Sequence, residues 1–458
     1  MISRTAAPRC AWDSWVALAA VGACGCGITL GIAGAAAQQL AVGVVGAVLL
    51  MTGLFVLLAA RWLDPLAMLV LSLPLPALFA SASGRLAPVV LVSVLVVFAR
   101  FAGTAVEGRP LALERLPLLP IGALLLALLL ATGFSANRSD GMRELFNWSI
   151  LLAFLAIAVT ELVPAPGQTR ALARLIAGVA AVCGALGVLE AVGILPARFT
   201  TTTTSVNRAA LGFGWPNELG MFMAISLPFC VYACTAATSR GARVLACLGL
   251  VSAILGLAAT FSRGSWLAAI GGSLFLLFTG ERRFVLRVWL AAFAAVVVLD
   301  VVSGGALRAR LASTIGDWVL EQRVALTYAG VLMFRAHPVF GVGPGGFADA
   351  LEEFGPAVSW LWDYLPTAQN AYVQMAAEAG LIGLVALIAL LAGIMHRLRS
   401  TLKREAKPAE RALPRALVWS FGIVCLLGFG EWLFAHGIGE LIMLVAAMGF
   451  VLPAQERA

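Results

Sequence analysis

VSGGALRARLASTIGDWVLEQRVALTYAGVLMFRAHPVFGVGPGGF, residues 302–347, opens a stretch that runs on to Tyr364, Leu365 and Pro366 and does not read as membrane helix. It carries Arg308, Arg310, Arg323, Arg335 and His337, one of three histidines. On both sides the chain does read as membrane helix. Apolar runs of about 18 residues or more recur along the length, as a hydrocarbon core about 30 Å thick requires. The 458 residues are 61% hydrophobic and 12% charged, where a soluble domain carries about 25% charged residues. Strands of a membrane barrel would alternate in polarity, and these runs do not. The expected fold is an all-α polytopic membrane protein, 1–458 forming a single integral membrane domain, with 302–366 as a long loop or lid within it.

Working outward, candidate spans lie at roughly 14–34, 39–60, 64–82, 86–103, 116–134, 144–163, 170–194, 216–237, 242–260, 264–279, 284–302, 368–395, 414–431 and 435–452. Several are short or carry Pro and Gly, such as LSLPLPALFASASG (71–84), so about twelve full crossings are expected, within a range of 12–14. Arg4 and Arg9 precede an apolar run, and AGAAAQ (33–38) resembles a cleavage site. With so many later spans, an uncleaved first helix is expected. The eight cysteines form no C-x-x-C pair, lie almost all within apolar segments, and read as small core residues.

Charge sets the expected orientation. The net charge of +8 comes from 29 Arg and 2 Lys against 23 acidic residues. A cytoplasmic N-terminus puts 21 of the 31 basic residues inside, seven of them in HRLRSTLKREAKPAERALPR (396–415). Both termini are then cytoplasmic and 302–366 is periplasmic. The basic balance is explained by topology, so no nucleic-acid partner is expected. Ten arginines and no lysine remain outside: Arg85, Arg138, Arg143, Arg198, Arg208, Arg263, Arg308, Arg310, Arg323 and Arg335. Single ones can snorkel at helix ends. As a group they oppose the topological bias. Guanidinium forks match phosphate oxygens bidentately, so the group points to a phosphate-bearing, lipid-linked ligand at the outer surface.

Within the stretch, Leu311, Ile315, Trp318, Val319 and Leu326 fall near helical spacing, with Arg310, Asp317, Glu321 and Arg323 between them. That predicts an amphipathic helix or two, lying on the membrane face or capping a cavity. GVGPGGF (341–347) predicts a tight turn whose amides could face an anion, without a Walker lysine. Trp360, Trp362 and Tyr364 suit an interfacial belt or a sugar-stacking surface. FTTTTTSVNR (199–208) reads as a solvated outer loop. TFSRGSW (260–266) puts Arg263 at an outer mouth between two spans, a costly place for a charge and hence a functional candidate.

TFSRGSW, then an arginine-bearing helix, then HPVFGVGPGGF (337–347), then QNAYVQMAAEAGLIGL (369–384), in that order, resembles the O-antigen ligase and polymerase superfamily of bacterial inner membranes. By motif the resemblance covers roughly 205–395, and by topology the whole chain. It implies a bundle of about twelve helices with a periplasmic active site, and transfer of O-antigen from undecaprenyl diphosphate to lipid A–core oligosaccharide. It also implies no metal and no nucleotide cofactor. The family's two functional arginines match Arg263 and Arg323, and its histidine matches His337. Many relatives carry His before the Asn-x-Tyr of the helix after the loop; this chain has Gln369 there.

The chemistry suits these residues. A diphosphate-linked sugar already has a good leaving group. Arginines Arg263, Arg323 and Arg208 would hold the diphosphate and stabilise the charge that builds on it. His337 would take the acceptor hydroxyl's proton, and direct attack would invert the anomeric centre. Glu190 and Glu218 are alternative bases, His436 a structural candidate, and His396 is cytoplasmic. Asp349, Glu352 and Glu353 read as a solvated loop face. The expected partners are the undecaprenyl-diphosphate-linked glycan donor, the lipid A–core acceptor and membrane lipids. Alternatives are a polymerase or protein O-glycosyltransferase of the same superfamily. A transporter would instead place ionisable residues near the bilayer midplane.

Overall fold

The computed structural model describes residues 64–74, 79–81, 84–86, 88–108, 110–164, 167–197, 199–200, 207–213, 215–302, 304–305, 308–309, 312, 318–355, 367–405, 407, 410–434 and 437–455. The expected spans 14–34 and 39–60 lie outside the described residues, as do Trp360, Trp362, Tyr364 and His436. Among the described residues there are fourteen α-helices and two short antiparallel strand pairs. Five helices have the length and apolarity of a span: Arg138–Leu162, Gln168–Ala191, Pro216–Thr235, Arg240–Ala259 and Ala371–Arg404.

The chain falls into two packed units. Of the described residues, 64–69 and 91–111 fall in the first unit, and 70–90 and 112–455 in the second. Helix α1 (Pro65–Ser72) starts at Asp64, whose carboxylate accepts from the amides of Leu66 at 2.9 Å and Ala67 at 3.0 Å. This satisfies two of the donors that every helix start leaves open. Helix α2 (Pro88–Glu107) carries the fully buried Arg100. The expected span 64–82 is corrected here. Its helix stops at Ser72, and Phe79–Ser81 pairs with Gly84–Leu86 as strands β1 and β2. Pro74, two residues past the helix end, lacks the amide that a further turn would need and clashes with the turn before it.

The second unit contains α3 (Leu118–Phe134), α4 (Arg138–Leu162), α5 (Gln168–Ala191), β3 (Phe199–Thr200), β4 (Asn207–Arg208), α6 (Pro216–Thr235) and α7 (Arg240–Ala259). These are followed by α8 (Arg263–Gly271) with a 3-10 continuation (Gly272–Thr279), α9 (Arg282–Val302), α10 (Trp318–Ala336), α11 (Phe347–Phe354), α12 (Ala371–Arg404), α13 (Ala412–Leu427) and α14 (Ile438–Gln455). Small residues set its closest contacts. A Cβ on Gly256 would run into Gly184 of α5, and the Ser252 hydroxyl donates to the Ala181 carbonyl at 2.6 Å. Close backbones and interhelical hydrogen bonds replace the hydrophobic drive that is missing between helices in lipid. Helices α13 and α14 are buried nearly all round. By contrast α7 exposes Val244, Leu245, Leu248 and Val251, and α9 exposes Leu286, Leu290, Phe293 and Val297. Such apolar stripes suit hydrocarbon, not water.

Short links make successive helices alternate in direction. The 279–282 and 404–412 links share one end of the second unit, because Glu281 pairs with Arg411 at 2.7 Å and with Arg415 at 3.1 Å. The 191–216, 259–263 and 427–438 links fall at the opposite end. The stretch 302–366 supplies α10 and α11, which form a small core of their own. Leu326, Ala329 and Met333 of α10 meet Phe347 and Leu351 of α11, with Ala368 and with Ala377 of α12. This part of the stretch is therefore a cap seated on α12. Arg310, Leu311, Ile315 and Asp317 lie outside the described residues.

Candidate active site

Arg208 ends β4 and enters the turn that leads into α6. Its Nε donates to the Thr260 carbonyl at 2.9 Å, and its other guanidinium nitrogen to Asn217 Oδ1 at 3.1 Å. The next amide, Ala209, donates to Ala259 at 2.9 Å. Arg208 is thus tied to the turn that begins three residues before Arg263. That turn is built tightly. Phe261 has a φ of 50°, the Ser262 amide donates to Thr260 Oγ1, and the hydroxyls of Ser262 and Ser265 lie 2.9 Å apart. A Cβ on Gly220 of α6 would meet Ser265 Oγ at 2.7 Å, so glycine lets α6 close on this turn. Arg263 is the first residue of α8 and is half-buried. Beside it, Trp266 donates its indole N–H to the Leu257 carbonyl at 2.8 Å. Trp266 and Leu257 also wall an apolar crevice of about 210 Å³, with Ile270, Val288, Ala292 and Trp419.

Glu190, an alternative base on sequence grounds, is buried, and its Oε2 accepts from the amides of Ala210 at 2.9 Å and Leu211 at 2.8 Å. It holds the turn in which Leu211 adopts a φ of 49°. Glu218 is buried in the first turn of α6.

Arg323 lies on α10 and reaches a different place. Its Nη1 donates to the Gly430 carbonyl at 2.9 Å and pairs with Glu431 Oε1 at 3.0 Å. The 428–431 turn it grips is joined to the start of α12. Asn370 caps that helix through the amides of Tyr372 and Val373, and its Nδ2 donates to Phe429 at 3.2 Å. The Ala371 amide donates to Gly428 at 2.7 Å, and the Tyr372 hydroxyl to Cys425 at 2.7 Å. Glu431 was not singled out as Arg323's partner from sequence, because 107 residues separate Arg323 from the Gly430 it also grips.

His337 stands at the opposite end of α10, with an exposed ring set edge-on to Phe354 at 6.4 Å. Fourteen helical residues at 1.5 Å each separate it from Arg323, about 21 Å along the axis. The structure therefore brings Arg208 to the Arg263 turn and Arg323 to Glu431, and does not bring His337 against Arg323.

Pro338 follows His337, and the chain then inserts into a break in α12. Gly380 has φ 66° and ψ −163°, so the carbonyls of Ala377 and Glu378 lose their helical partners. The 338–343 strap supplies replacements: Val342 donates to Ala377 at 2.9 Å and Gly343 to Glu378 at 3.0 Å, while Leu381 donates to Pro338 at 2.8 Å. At Gly341 (φ 68°), Gly343 (φ 105°) and Gly380 an added Cβ would run into backbone or into Ser135. Only glycine fits these left-handed, close-approach positions. Phe340 stacks on Phe134 at 4.4 Å, and Asn137 Nδ2 donates to Asp349 at 3.2 Å. Asp349, Glu352 and Glu353 are all exposed, as expected of a solvated face.

The glycine turn faces an acidic side chain of the protein itself, a buried carboxyl group that accepts from its amides. Glu378, buried on α12, accepts from Gln374 Nε2 at 2.8 Å, from the Phe347 amide at 3.4 Å and from the Gly345 amide. Gln369 is almost fully buried with φ 53°, and its side chain donates to Thr367. His396 lies far along α12, beside Arg399.

Residues 248–388 match the family model described as O-antigen ligase. The matched segment runs from within α7 to within α12. It contains Arg263, Arg323, His337 and Glu378, and leaves Arg208 and Glu431 outside. No curated protein matches the chain.

Proposed function

We propose that this chain, which the match over residues 248–388 supports as a member of the O-antigen ligase family, transfers a glycan from undecaprenyl diphosphate to lipid A–core. The reaction takes place at the periplasmic face of a bacterial inner membrane and needs no metal. One observation carries the reading. The arginine-bearing turn at 260–263, to which Arg208 is bonded, adjoins the apolar crevice through Trp266 and Leu257. Guanidinium groups at the mouth of an apolar crevice suit an amphiphile with an anionic head and a hydrocarbon tail.

In this reading Arg208 and Arg263 hold the diphosphate, with the tail lying along the crevice. Arg323 exchanges its bond to Glu431 for a phosphate oxygen. An arginine side chain, a diphosphate, the reacting C–O bond and an imidazole laid end to end cover a length comparable to α10 between Arg323 and His337. His337 then waits at the sugar end and takes the acceptor hydroxyl's proton. The hydroxyl oxygen attacks the anomeric carbon, the C–O bond to phosphate breaks, and its electron pair leaves on the diphosphate. Fixed guanidinium charges stabilise that leaving group without reorganising.

The test is transfer by purified protein given undecaprenyl-diphosphate glycan and lipid A–core in the presence of a chelator. Glycan appearing on lipid A–core supports the reading. Lengthened glycan still on undecaprenyl would make the protein a polymerase, and transfer only with added divalent cation would overturn the metal-free mechanism.

A further inference from the structure

We propose that Glu378, with Gln374, is a positioning residue for His337: its carboxyl group is the internal acceptor on which the 344–347 glycine turn closes. This rests on the reading of His337 as the proton acceptor. Residue 378 holds the strap twice. Its carbonyl accepts from Gly343, and its carboxylate accepts from Gly345 and Phe347. Gln374, one helical turn earlier, orients the carboxylate from the other side. Three donors converge on a group buried where water does not reach, so removing it leaves all of them without an acceptor.

The strap is also the short route from His337 to the bundle. The far end of α10 is tied to the 428–431 turn, about 21 Å away along the helix. At the near end, His337 is joined through Pro338, whose carbonyl accepts from Leu381 just past the break. Losing the Glu378 side chain leaves the backbone bonds of the strap in place but frees the 344–347 turn that closes it, and so loosens the seat of the imidazole. Arg208, Arg263 and Glu431 belong to other elements, β4, α8 and the turn after α13, so donor binding is expected to be left alone.

The experiment uses the full chain carrying His396→Asn and His436→Asn, so that a 13C-labelled histidine reports His337 alone. Glu378→Ala is expected to lower kcat about 100-fold, the scale of a displaced general base, with the donor KM changed by no more than about threefold. Its single histidine resonance should broaden or split. Glu378→Gln keeps an acceptor oxygen for Gln374 and Phe347, and should recover the wild-type resonance and kcat to within about fivefold. An unchanged resonance and kcat in Glu378→Ala overturns the proposal, as does a Gln variant as impaired as Ala with an undisturbed resonance. If Glu378→Ala does not fold, Gln374→Ala must show the same resonance change in smaller degree; an unshifted resonance there overturns it. A displaced resonance with unimpaired transfer supports the seating role and overturns His337 as proton acceptor, so the two failures are separable.

Discussion

Arg323 and His337 occupy the two ends of one helix, and the two ends are held differently. Arg323 is held by one ion pair and one carbonyl of the 428–431 turn. Arg323 keeps a quarter of its side chain exposed, and in the proposed reaction an incoming phosphate takes the place of Glu431. His337 is held through backbone bonds of the strap that fills the break in α12, over glycines that accept no substitute. That end cannot exchange partners. The difference teaches that one helix can carry an exchangeable contact at one end and a fixed one at the other, which in the proposed reaction become the anion contact and the proton acceptor.

The comparison breaks most directly at the arginines. Arg263→Ala and Arg323→Ala should each lower transfer about 100-fold or more, the scale of a lost charge-stabilising donor, measured with undecaprenyl-diphosphate glycan while thermal unfolding stays near wild type. Retained activity in either would remove that arginine from the site. Next in size is the fixed end. Gly341→Ala forces a Cβ into the Ala377–Glu378 carbonyls at positive φ, and should destabilise the protein by about 2–4 kcal/mol. The readout is thermal denaturation in detergent together with kcat. A smaller change sharpens the exchangeable end: Glu431→Gln weakens the competitor for Arg323, so donor KM should fall by about two- to fivefold with kcat little altered. A raised KM would mean that Glu431 orients Arg323 instead of competing for it. The smallest effect on transfer is expected at the opposite end of the bundle. Arg415→Ala breaks a mostly buried pairing with Glu281 and a cation-π contact with Phe284, so it should leave transfer kinetics unchanged while lowering stability by about 3–5 kcal/mol.

Much of this was legible in the chain itself. The apolar runs identified α3 to α9, α13 and α14 within a few residues, because hydrocarbon accepts only helices with their backbone satisfied; α12 runs nine residues past its expected end at 395, α10 was expected only as an amphipathic helix, and α11 was not expected as a helix. The arginine-rich outer segments, TFSRGSW and HPVFGVGPGGF marked the segments that now carry the candidate site. The span at 64–82 was misread because its composition is apolar although Pro74 opposes a further turn of helix. GVGPGGF was read as a turn able to face an anion. That it closes on the Glu378 carboxyl group was hidden, because Glu378 sits within an apolar helical pattern and its 31-residue separation from Phe347 leaves no local signal.

By itself the sequence determined the helical, membrane-embedded class, the sidedness expected of its charges, and the residue types able to hold phosphate and move a proton. These are set by local composition and periodicity. Only the tertiary structure decided the partners: Arg208 with Thr260 and Asn217, Arg323 with Glu431, the strap with the broken helix, and Glu378 with the glycine turn. Hydrogen-bond partners follow from which buried donors and acceptors remain unmet once the helices have packed. That is a property of the assembled bundle and of no single segment of it.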